Sequence, residues 1–79
     1  MKTNETQVKE FRNRALGKGE LARLYLPDMS EHSATNRLSQ WIHGHRQLME
    51  KLSETGYYMH QRLLTPRQVS LIVQFLGEP

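Results

Sequence analysis

Seventy-nine residues, 37% hydrophobic and 24% charged, describe one small folded domain rather than a disordered or multidomain chain. The absence of cysteine excludes disulfides and thiolate metal sites, and no apolar run nears the roughly 18–20 residues of a membrane-spanning helix. A net charge of +3 is a mild positive balance, so its distribution matters more than its sum.

Residues 1–10 are polar and lack the apolar core of a signal peptide; they are read as a flexible tail, and the protein as cytoplasmic. Val8 to Leu16 fits either a short strand, by alternation, or a helix, through Val8, Phe11 and Ala15. A short strand or extended arm is preferred, with residues 11–15 paired to 57–64 in a small β ribbon where the strand forms. Gly17-Lys18-Gly19 breaks the segment and lacks the spaced glycine and the Ser or Thr of a phosphate-binding loop.

The first helix starts near Lys18 to Glu20, with Leu21, Leu24 and Tyr25 as its apolar edge. Pro27 ends it, because the residue before a proline avoids the α conformation. Ser30 is the expected N-cap of the second helix, and Gly44 its stop. Ala34, Leu38, Trp41 and Ile42 fall at i, i+4, i+7 and i+8, so all four, Trp41 included, are expected in the core. A third helix runs from about Arg46 to Glu54, with Leu48, Met49 and Leu52 on one face and Gly56 as its stop. Tyr57 to Leu63 reads as a short hairpin or as a loop folded on the core, with one of Tyr57 and Tyr58 buried. In the last helix, Thr65 is the N-cap, Pro66 is N1 and Gln68 completes a capping box. Its face of Val69, Ile72, Val73 and Leu76 is widened by Leu71 and Phe75. A helix this apolar is either centrally packed or covered by a second subunit.

The polar face of the second helix carries the candidate function. Ser33, Asn36, Arg37 and Gln40 are residue types that read base edges in a major groove: Arg matches guanine O6 and N7, and Asn or Gln matches adenine N6 and N7. Lys18, Arg23, His43, His45 and Arg46 are the candidate phosphate contacts. From His32 to Gln47, both included, there are two arginines, three histidines and no acid. The helix pair departs from the commonest helix-turn-helix spacing: Leu26 and Pro27 replace the usual small turn residue, and the turn is about two residues longer, as in winged and related variants. His43-x-His45 has no further ligand at metal spacing. No nucleophile elbow or paired-carboxylate motif is present, so neither an enzyme nor a cofactor is expected.

The chain resembles a family of short bacterial proteins that carries a domain-of-unknown-function label. The matching residues are Gly17-Lys18-Gly19-Glu20-Leu21-Ala22-x-x-Tyr25-x-Pro27, Ser33-Ala34-x-x-x-Leu38-x-x-Trp41-Ile42, Leu52-x-x-x-Gly56-Tyr57, and Arg62-x-Leu64-Thr65-Pro66-x-Gln68-Val69-x-x-Ile72-x-x-x-Leu76-Gly77-Glu78-Pro79. The resemblance covers residues 11–79 and implies a small bacterial protein of helix-turn-helix type. The expectation is therefore a mainly α, four-helix, helix-turn-helix-like domain over 11–79 with a small β ribbon. Double-stranded DNA is the expected partner, bound as a homodimer. The alternative is a protein-interaction adaptor that uses the apolar last helix.

Overall fold

Among residues 15–79, which the computed structural model describes, Leu16–Gly17 (β1) pair antiparallel with Leu63–Leu64 (β2), Leu16 opposite Leu64 and Gly17 opposite Leu63. Around this ribbon lie α1 (Lys18–Tyr25), α2 (Glu31–His43), α3 (Arg46–Ser53) and α4 (Pro66–Leu76). The class is therefore mainly helical with a small antiparallel sheet. Among the described residues the first strand of the ribbon is Leu16–Gly17, and Ala15 is exposed and outside it. The readings of residues 1–10 as a tail and of residues 11–14 as a strand lie outside the described residues.

Helix α1 begins where Gly17 leaves the strand. The Gly17 N–H donates to Glu20 Oε1 at 3.2 Å, one half of a capping box; glycine has no side chain to return the second bond. The helix closes with Leu26 N–H donating to the Ala22 carbonyl, immediately before Pro27. Leu21 and Ala22 are fully buried, but Leu24 is 46% exposed, which corrects its placement on the apolar edge. Lys18, Leu21, Ala22 and Tyr25 share one stripe, and Leu24 lies about 100° round the helix from it. The small Ala22 lets α2 approach, and α1 packs against α2 more extensively than any other pair of elements.

In α2, Ser30 is the N-cap, its Oγ accepting from Ser33 N–H at 3.2 Å. Ala34, Leu38 and Ile42 are fully buried at i, i+4 and i+8. Trp41 is not in the core: it is 37% exposed and packs edge-on against Tyr25, with ring centroids 6.0 Å apart and an interplanar angle of 88°. The three aliphatic residues already fill the stripe. Trp41 lies about 60° to its side, where the indole leans on Tyr25 at the margin of the core.

Helix α3 starts at an N-cap that the sequence reading did not identify. His45 Nδ1 accepts from Leu48 N–H at 3.3 Å. It ends in a Schellman arrangement: Tyr57 N–H donates to the Leu52 carbonyl at 3.3 Å and Gly56 N–H to the Ser53 carbonyl at 3.2 Å. Gly56 has φ +85°, and a Cβ placed there would meet nothing within 4 Å. Only backbone strain then opposes a side chain at this position. Gly56→Ala is expected to lower stability by about 1–2 kcal/mol in a urea melt, with the denaturant slope unchanged.

Helix α4 matches its sequence signals in detail. Thr65 Oγ1 accepts from Gln68 N–H at 3.2 Å, and Gln68 Oε1 accepts from Thr65 N–H at 3.0 Å. Val69, Leu71, Ile72 and Val73 are buried with Leu16, Leu64, Leu48 and Leu52, so this helix is central and covered by the chain itself. Phe75 and Leu76 are half-buried at its end.

Candidate nucleic-acid interface

Because α2 gives Ala34, Leu38 and Ile42 to the core, its far side is left to solvent. Ser33, Asn36, Arg37 and Gln40 are all exposed and fall within about 100° of arc at 3.6 residues per turn. The structure thus brings the four candidate base readers together on one open ridge. Asn36 Nδ2 lies 3.3 Å from His32 Nε2, one turn earlier, which orients the amide along the helix. Glu31 is the one acidic residue on this helix, at its first position, where it complements the helix dipole.

The candidate phosphate contacts divide. Arg23, His43 and Arg46 are exposed, and the His43 ring stands 6.5 Å from that of Tyr57. Lys18 does not belong with them. Its side chain is 3% exposed, and Nζ donates to Tyr57 Oη at 2.7 Å and to the Met59 carbonyl at 2.8 Å. The ammonium also lies over the Tyr57 ring, 5.1 Å from its centroid. Burial lowers the Lys18 pKa and raises that of Tyr57, as desolvation penalises the charged form of each. A lysine spent on holding two segments together has no free ammonium to offer a phosphate.

His45 is likewise a structural residue, since Nδ1 caps α3 and its ring packs edge-on against Phe75 at 5.2 Å. Tyr25, on the flank of α1, donates its hydroxyl to the Gly77 carbonyl, and burial pushes its pKa up to about 12. Of the tyrosine pair, Tyr57 is core and Tyr58 is 61% exposed.

A groove runs beside the ridge. Arg23 and Leu24 of α1 form one part of its wall, His32 and Asn36 of α2 another, and His60 and Arg62 of the loop before β2 a third. Sequence reasoning passed over His60 and Arg62. Their signal, two basic residues between an exposed aromatic and a strand, is visible only once the loop has a place. The groove is not uniformly basic, since Glu20 and Glu31 also line it. Over residues 15–79 seven lysines and arginines stand against six acids, so any attraction for a polyanion rests on local arrangement.

Among the described residues, no three His, Asp or Glu side chains gather to hold a metal ion, and no helix is long and apolar enough to cross a membrane. A family model described as a domain of unknown function (DUF4248) matches residues 12–79. No curated protein and no solved structure matches the chain.

Proposed function

The chain belongs to the DUF4248 family, and we propose that it is a small cytoplasmic DNA-binding protein whose α2 enters the major groove of a duplex. One observation carries this reading. A thirteen-residue helix is anchored by three buried aliphatic residues and presents Ser33, Asn36, Arg37 and Gln40 together, exposed, on its free side. Arginine and amide side chains on the outer face of a helix that packs on the helix before it meet the chemical demand of base-edge readout. The α1–turn–α2 unit supplies the support, since α1 packs against α2 and gives Leu21 and Ala22 to the core. Base contacts fall to Ser33, Asn36, Arg37 and Gln40, and phosphate contacts to Arg23, His43 and Arg46.

The adaptor reading drew on the apolar face of the last helix. That face is turned into the core, with Val69, Leu71, Ile72 and Val73 all buried by the same chain. Only Phe75 and Leu76 at its end are left half-buried, so the apolar face gives less support to a protein partner than the polar ridge of α2 gives to DNA.

The test uses the single tryptophan. Trp41 sits at the edge of α2, partly exposed, and its emission reports on whatever approaches that helix. Titration with duplex DNA is expected to change the emission at about 50 mM salt. The association constant should then fall linearly on a log–log plot as salt rises, the mark of counterion release. No association with any duplex at that salt would end the proposal.

A further inference from the structure

The loop between α3 and β2 is tied down from both sides. Gln61 N–H donates to the Tyr58 carbonyl at 3.1 Å, closing a turn over Met59 and His60. Tyr58 N–H points back to Gln61 Oε1 at 3.3 Å, and Gln61 Nε2 donates to the Leu63 carbonyl and to Gln68 Oε1. From α1, Lys18 holds the other side. Its backbone N–H donates to the Arg62 carbonyl at 2.6 Å, and its ammonium reaches Tyr57 and Met59. A connection held only by its two ends would fray. This one fixes the direction in which it presents His60 and Arg62, and both of those side chains are exposed.

They look onto the groove shared with Arg23, His32 and Asn36. The two carboxylates in that groove are held near the start of α1. Glu20 accepts the Gly17 N–H, and the Glu31 side chain lies so close against Gly19 that a Cβ there would collide with it. Building on the reading of α2 as the base-reading helix, we infer that the 58–62 loop is a second contact with the same duplex. Arg62, with His60 beside it, binds the phosphodiester strand that borders the major groove. The guanidinium matches a phosphate bidentately, and such a contact sets register without reading sequence. Of the four base readers only Asn36 lines this groove, so the groove flanks the ridge, and a strand lying along it would run beside the helix-filled major groove.

Arg62→Ala in the full chain tests this. The side chain is exposed, so the urea midpoint should stay within experimental error of the parent protein. Affinity is expected to fall roughly three- to tenfold on matched and mismatched duplexes alike. The slope of log K against log salt should become shallower by about 0.9. Arg67→Ala, an exposed arginine on α4 outside the groove lining, should leave the slope unchanged. An Arg62→Ala protein with the parent slope, or with a loss confined to one sequence, overturns the loop contact and leaves the role of α2 standing. Failure of the parent protein to bind any duplex removes the role of α2 itself, and the loop contact with it.

Discussion

Gln68→Met should lower the stability of this domain by about 2–4 kcal/mol, the largest loss expected from any substitution outside the aliphatic core that keeps side-chain volume. Gln68 is 1% exposed, and every polar atom of its amide is used. Oε1 accepts from Thr65 N–H at 3.0 Å and from Gln61 Nε2 at 2.6 Å. Nε2 donates to Thr55 Oγ1 at 2.9 Å, and the Thr55 hydroxyl in turn donates to the Leu52 carbonyl. The residue thus joins the end of α3, the loop before β2 and the cap of α4. A methionine fills the same space, so little cavity forms, but it takes away the acceptor of the Thr65 N–H, one of the two acceptors of Gln61 Nε2 and the donor to Thr55 Oγ1, all at part-buried positions. Each orphaned group costs roughly 1–3 kcal/mol, and half of the α4 capping box goes with them. A domain of this length has roughly 4–12 kcal/mol in total, so the fall in thermal midpoint should be about 10–25 °C, followed by circular dichroism. A shift of only a degree or two would mean that water replaces the amide and that the network adds little.

Gln68 also marks what the sequence makes legible. Its pairing with Thr65 is a three-residue pattern and can be read directly, as can the Ser30 cap and the Gly56 stop. Such signals are local, because the backbone groups they satisfy belong to the same turn. The same glutamine's bonds to Thr55 and Gln61 bridge separate elements and leave no mark in the sequence. Lys18 failed as a phosphate candidate for the same reason, its partners being 39 and 41 positions away. In the sequence it is a cation between two glycines; in the fold the β1–β2 pairing carries it under the 57–59 segment. Trp41 was misplaced by periodicity alone. A stripe read at 3.6 residues per turn gives the direction of the core, not its width, and here three aliphatics fill it and leave the indole at the rim. His45 shows the converse, a residue that reads as charge and serves as a cap.

The ridge on α2 was legible because helical periodicity places it opposite the core whatever the rest of the chain does, and it leads to the second large effect. Arg37→Ala combined with Gln40→Ala should reduce affinity for the preferred duplex, selected from a random pool, by about 30-fold or more. The two bidentate base contacts proposed for these side chains would contribute roughly 1–3 kcal/mol each. Both side chains are exposed and face away from Leu38, so the variant should unfold with the parent's midpoint, and the loss can be assigned to recognition. Binding to unrelated duplexes, for which Arg23, Arg46 and the groove are the proposed contacts, should weaken much less. The ratio of specific to non-specific affinity should therefore collapse, rather than both constants falling together. If the two fall in step, Arg37 acts as one more phosphate contact and α2 lies across the backbone instead of in the groove. If neither moves while the parent protein binds DNA, another face of the molecule does the reading, and the exposed polar side of α2 is no more than a solvated surface.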